Sequence, residues 1–192
     1  MKKAAAVAVT LAFAFVALLL TSHAQQSKDK SSASPEMQIP KPGPEMEKMK
    51  FLLGTWETKG GYEKSPMFPE GGAQTGWYKA QLGPGGFSIL ADFEADGPLG
   101  KEIGHEIITW DPKQNVYTTI VVGNAFPGAN IGTSEWEGDL LVTVHEFDYN
   151  GTKIHLRSTI KKVVENSVHM EESSQTGDGA TLLMWKADAV KK

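Results

Sequence analysis

The chain has 192 residues and no cysteine. A disulfide framework is therefore impossible, and so are a thiolate zinc site and an iron–sulfur cluster. A lipid anchor on an N-terminal cysteine is excluded as well. Arginine is almost absent: Arg157 stands against 18 lysines. Excess base is lacking too, with 19 Lys and Arg against 23 Asp and Glu and a net charge of −4. That balance argues against a nucleic-acid partner, since such proteins carry a basic surface. Familiar catalytic spacings are missing. His105-Glu106 and His145-Glu146 begin like His-Glu-x-x-His, but the fifth positions are Thr109 and Tyr149. Gly132-Thr133-Ser134-Glu135-Trp136 fails as a nucleophile elbow at its last position. No phosphate-binding loop or dinucleotide fingerprint occurs. From these absences we expect no catalytic residue, metal or cofactor that the sequence alone can name.

The first 24 residues read as a secretory signal. Lys2 and Lys3 supply the positive start, Ala4 to Leu20 an uncharged apolar run, and Ser22-His23-Ala24 a small-residue cleavage pattern. Removing residues 1–24 takes Lys2 and Lys3 away and leaves a net charge of −6. No second run of comparable length follows, so the mature protein is expected to be soluble, without a membrane partner, in a bacterial periplasm or the extracellular medium. Residues 25–43 are polar and end in Pro35, Pro40 and Pro42, which predicts a disordered linker. Residues 44–192 form the remaining domain.

That domain opens with its one helical pattern. Pro44 suits a first helical position, Glu45 and Glu47 favour the positive end of the dipole, and Met46, Met49 and Leu53 recur at helical spacing before Gly54. Alternating runs then predict ten strands near 55–63, 73–82, 86–94, 102–110, 115–122, 131–137, 140–147, 152–164, 167–174 and 180–187. Breaker clusters separate them, among them Gly83-Pro84-Gly85-Gly86, Asp111-Pro112 and Asn150-Gly151. Many short strands without crossover helices predict an all-β, antiparallel up-and-down meander closed into a barrel, because closure removes both sheet edges. Alternation assigns faces. Phe87, Ile89, Ala91 and Phe93 share one, as do Ile154, Leu156 and Ile160. On the fourth strand Ile103, His105 and Ile107 oppose Glu102, Gly104 and Glu106, which predicts that His105 points inward.

The segment Phe51-Leu52-Leu53-Gly54-Thr55-Trp56-Glu57 resembles the start of lipocalin-like and other calycin barrels. The resemblance implies that the helix plugs one end of the barrel and that Trp56 packs into it. Gly83-Pro84-Gly85-Gly86-Phe87, the stretch from Gly100 to Trp110-Asp111-Pro112, and Tyr117 are similar to a secreted bacterial family, the domain of unknown function family 1579, over residues 44–187. That resemblance implies a fold and an exported compartment but no activity. More remotely, Gly54, Trp56 and Gly60 resemble the Gly-x-Trp-x-Gly-x-Gly start of nitrobindin-type haem barrels. Thr58 replaces the middle glycine. The final strand also lacks the histidine that would ligate haem by that resemblance.

A barrel of this size can enclose a cavity, so the leading expectation is a protein that binds a small apolar or amphipathic ligand. The candidate ligand-binding residues are His105, Trp56, Phe87, Phe93 and Arg157. His105 could orient a ligand or titrate near neutral pH. Arg157 could clamp a carboxylate, or face outward and pair with an acid on a nearby strand. Alternation leaves the side of His145 open. Two alternatives stand beside binding: a protein-interaction module using the apolar-tipped loop 123–130, and a hydrolase or isomerase pairing His105 with a carboxylate such as Glu172.

Overall fold

A computed structural model describes residues 39–149 and 151–192. The predicted signal 1–24 and nearly all of the linker 25–43 lie outside the described residues, as does Asn150 of the Asn150-Gly151 turn. A short helix, α1 (Pro44–Lys48), leads into a 3₁₀ turn, Met49–Leu52. Ten strands follow: β1 (Gly54–Tyr62), β2 (Gly72–Leu82), β3 (Ser88–Gly97), β4 (Gly100–Asp111), β5 (Val116–Gly123), β6 (Ala129–Glu137), β7 (Leu140–Tyr149), β8 (Thr152–Val164), β9 (Ser167–Thr176) and β10 (Thr181–Lys191). Each pairs antiparallel with its sequence neighbours, and β1 pairs with β10 to close the barrel. The predicted architecture is the observed one.

The helical stretch is shorter than its pattern suggested. It tightens to 3₁₀ geometry at Met49, and that geometry stacks residues three apart on one side. Met46, Met49 and Leu52 therefore form the buried stripe, not Leu53. They pack against Ala80, Ile89, Ala91, Ile108, Tyr117 and Leu141 and fill one end of the barrel. The Tyr117 hydroxyl donates to the Glu45 carbonyl at 2.9 Å, and the Trp56 indole to the Leu52 carbonyl at 2.8 Å. These two bonds tie the plug to the wall. The helix begins the barrel unit but lies at residue 44, well inside the chain.

Two strand boundaries moved for identifiable reasons. Gly85 and Gly86 have φ of 68° and 77°, a left-handed pair that delays β3 to Ser88 and leaves Phe87 outside it. The predicted loop 123–130 shrinks because Ala129 and Asn130 already pair with Val122 and Val121.

The face assignment of β4 is reversed. Ile89 is fully buried and Ala91 nearly so, which fixes the inward face of β3. Antiparallel pairing sets Ala91 opposite Glu106, Phe93 opposite Gly104 and Ile89 opposite Ile108. Directly opposed residues share a face, so Glu102, Gly104, Glu106 and Ile108 point inward. Gly104 is needed there, because a side-chain carbon at that position would overlap the Phe93 ring. Ile103, His105 and Ile107 are consequently outside, where Ile103 is 46% and Ile107 39% exposed.

Candidate functional site

Above the plug the barrel interior opens into a cavity of about 290 Å³. Its floor is Leu52 of the 3₁₀ turn and Trp56 of β1. One wall is aromatic, with Tyr78 and Phe93, and the opposite wall is aliphatic, with Ile160, Val168, Met170 and Ala189. At the far end stand Tyr62, Gln74 and Trp185. Phe68, itself buried, stacks on Tyr62 with ring centroids 4.1 Å apart, so the 63–71 loop is folded against that end.

Into this aromatic chamber the barrel turns three glutamates: Glu102 and Glu106 from β4 and Glu172 from β9. The Tyr78 hydroxyl donates to Glu106 Oε2 at 2.9 Å. Gln74 Nε2 donates to Glu102 Oε1 at 3.0 Å, and the Trp185 indole donates to Gln74 Oε1 at 2.7 Å, which holds the amide in that orientation. The Tyr62 hydroxyl lies 3.4 Å from Glu102 Oε1. Glu172 stands apart, with no side-chain hydrogen bond among the described residues.

Burial decides the ionisation of this set. It raises the Glu172 carboxyl to about 7, with the charge of Glu102 adding to the effect. Burial also raises Glu102 and Glu106, while their tyrosine and glutamine donors work in the opposite direction. Tyr62 and Tyr78 are pushed up by burial first and by the neighbouring carboxylates second. Among the described residues no Lys, Arg or His lines the cavity. The arrangement can hold a small molecule on its aromatic faces, and it can offer that molecule carboxyl groups in either protonation state.

The five residues singled out in the sequence divide. Trp56 and Phe93 line the cavity. Phe87 lies before β3 and is 39% exposed. His105 is on the outer face, where Nδ1 meets Asp92 Oδ1 at 2.6 Å. Arg157 is also outside and reaches Glu137 at 3.1 Å. His105 and Glu172 therefore lie on opposite sides of the barrel wall, and the His105–Glu172 catalytic pair does not form. The inward histidine is His145, which is 5% exposed, and burial lowers its pKa. Neither its Nδ1 nor the Asn130 Oδ1 has a hydrogen-bond partner among the described residues. Among the described residues, no group of three or more acidic or histidine side chains is placed to hold a metal ion.

Sequence reasoning missed Glu102, Glu106, Gln74, Tyr62, Tyr78 and Trp185 as site residues. One signal for the glutamates was available. Gly104 sits between them, and a glycine opposite the large, inward Phe93 marks the face that must make room.

Comparison with known proteins bears on the fold. Rv2717c from M. tuberculosis matches over 79% of this chain and 99% of its own, at 11% identity and a TM-score of 0.54. The fold is a calycin-like barrel. The S-type phycobiliprotein lyase CPES from Guillardia theta matches over 76% of this chain and 91% of its own, at 11% identity and a TM-score of 0.49. EF1p2_mFAP2b, in a structure bound to DFHBI, matches over 75% and 96% respectively, at 11% identity and a TM-score of 0.43. At such identities the likeness is one of architecture. No protein-family model and no curated protein matches the chain.

Proposed function

We propose that this is an exported barrel protein that binds one small apolar or amphipathic molecule in the cavity above its plug. The carrying observation is that cavity. A closed barrel filled at one end by Met46, Met49 and Leu52 keeps about 290 Å³ open at mid-height, lined by Trp56, Phe93, Tyr78 and Trp185. That volume lies near the small end of ligand pockets, about 300–1,000 Å³, and suits a molecule of up to about three rings. The signal-like residues 1–24 support a periplasmic or extracellular setting. The Gly83–Phe87 and Gly100–Pro112 motifs support placement in the domain of unknown function family 1579.

The protein-interaction reading of the 123–130 loop has weaker support. Asn124 is bonded back to β4 through the Ile103 amide and the Lys101 carbonyl, and Phe126 stacks on Phe147 of the same barrel. Those groups are engaged with the barrel itself.

The test is titration of the purified protein with the neutral fluorescent probe N-phenyl-1-naphthylamine. We expect saturable one-to-one binding that is lost in Ala189→Trp, which places an indole in the cavity. Absence of saturable binding, or binding unchanged by Ala189→Trp, overturns the proposal. Native mass spectrometry of the protein as purified provides a second readout, through any co-purified small molecule.

A further inference from the structure

We infer that the cavity selects a ligand carrying a protonated amine, with the amine held among Glu102, Glu106 and Glu172 and its apolar body on the aromatic walls. This rests on reading the cavity as a ligand site and adds the chemical class of the ligand. Three features of the chamber point the same way. First, three lining side chains, Glu102, Glu106 and Glu172, are carboxylic acids, and among the described residues no base lines the cavity; Glu94, at its edge, lies on the outer face opposite Ile103 and is paired with Lys101 at 2.8 Å. Second, the faces of Trp56, Tyr78, Phe93 and Trp185 surround the same space, and aromatic faces attract cations. The chain already uses this attraction once, with Lys191 Nζ 5.4 Å from the Trp56 ring centroid. Third, the acids are unequally satisfied. Glu106 has the Tyr78 hydroxyl and Glu102 has the Gln74 amide, while Glu172 has no side-chain hydrogen bond among the described residues. A half-buried carboxylate without a partner is costly, and a ligand cation removes that cost. A ligand carboxylate would instead add a like charge to the group.

Where β1, β2 and β3 meet, the inward residues shrink to Thr58, Gly76 and Ala95, and the cavity borders an outer groove there. That groove is lined by Glu57, Lys59, Glu94, Asp96 and Asp188, and three of its acids are already paired, Glu57 with Lys192, Glu94 with Lys101 and Asp188 with His169. The selection for a cation therefore rests on the interior acids.

The experiment uses three probes of matched size on the purified protein: 2-phenylethylammonium, 2-phenylethanol and 3-phenylpropanoate. Binding is followed by calorimetry and by quenching of the cavity tryptophans. The amine is expected to bind at least about tenfold tighter than the alcohol, and the carboxylate not at all. Glu172→Gln and Glu102→Gln should each shrink the ratio of amine to alcohol affinity measured in the same variant. Circular dichroism and melting curves show whether the variants are folded. Between pH 6 and 8 the amine should bind more tightly as pH rises, because its binding needs the ionised carboxylates. The titratable groups facing it are Glu102, Glu106, Glu172, Tyr62 and Tyr78, with Glu94 at the edge. The inference is overturned if the alcohol matches the amine, if the carboxylate binds best, or if the ratio is unchanged in the Glu102→Gln/Glu172→Gln double variant. If all three probes and N-phenyl-1-naphthylamine fail to bind, the cavity reading itself has fallen. If the neutral naphthylamine binds but the amine shows no preference, only this inference has.

Discussion

The plugged end of the barrel and the chamber above it share a wall and are built on opposite rules. At the plug, Met46, Met49, Ile89 and Leu141 are at most 2% exposed and belong to one packed cluster. Three hydroxyls on the neighbouring β5–β7 wall satisfy one another. Ser134 Oγ lies 2.8 Å from Thr119 Oγ1 and 2.8 Å from Thr143 Oγ1, a closed set of hydroxyls. In the chamber, space is left open and carboxyl groups face it with fewer partners than they could use. Packing specifies the first region, with Asn130 Oδ1, Trp136 Nε1 and His145 Nδ1 of β6 and β7 left unpaired among the described residues, whereas the second keeps open space and carboxyl groups that face it. The difference predicts where mutations will hurt and where they will help.

The same truncation made in both regions tests this most sharply. Met49→Ala empties a filled site and should cost about 2–5 kcal/mol. Met170→Ala enlarges a space that already exists and should cost about 1 kcal/mol, because the ring of contacts it loses is incomplete. Urea unfolding of both variants provides the comparison. Equal losses would show that the chamber is packed as tightly as the plug.

The next largest effect runs in the stabilising direction. An unfolded glutamate releases its proton near 4.5, whereas folded Glu172 holds it to about 7. Between those values the folded state binds the extra proton, so this group lowers stability as pH rises, and above pH 7 the loss is complete. Glu172→Gln should therefore raise stability at pH 8 by about 2–3 kcal/mol and coincide with the parent below pH 4.5. His145 on β7 has the opposite sign. Burial depresses its pKa, so the unfolded chain takes up the proton first as pH falls below 6.5, and stability falls with it. Melting curves from pH 4 to 8 for the parent, Glu172→Gln and His145→Gln separate the two slopes. A Glu172→Gln variant that loses stability at pH 8 would contradict an uncompensated buried carboxylate.

How much of this was readable in the chain follows from the same physics. Ten alternating runs with glycine-rich breaks pointed to a barrel, and the resemblance of Phe51–Glu57 to the start of calycin barrels implied its plug. Alternation alone reports two faces and not which one is inside. On β4, Ile103 and Ile107 are on the outside and Ile108 inside, because the interior between Glu102 and Glu106 is a chamber that admits carboxylates. Only the pairing of β4 with β3, where Gly104 faces Phe93, settles the side. The loss of Phe87 from the site has a similar origin, since its alternation was counted through Gly85 and Gly86, which break the strand. His105 and Arg157 drew notice for their chemistry, but their register placed them against solvent.

In the hydroxyl set, Ser134→Ala removes the central member and leaves Thr119 and Thr143 buried without a shared partner. The expected cost is about 1–3 kcal/mol, with no change in ligand binding, because Ser134 is not part of the chamber wall.

The smallest effects belong to the residues the sequence made most conspicuous. The Arg157 side chain is 48% exposed and that of Glu137, its partner, 61%. The His105 side chain is 67% exposed and that of Asp92 59%. Exposed pairs of this kind contribute about 0–1 kcal/mol, since solvent already screens each charge and holding two flexible side chains together costs entropy. Arg157→Ala and His105→Ala should each change stability by less than about 1 kcal/mol, and less still in high salt. Neither touches the chamber, so probe affinity should match the parent in both. The His105 result separates the two sides of β4 directly. If His105→Ala weakened binding while Glu106→Gln did not, the inward face of that strand would be the isoleucine face after all, and the acidic chamber could not exist as described.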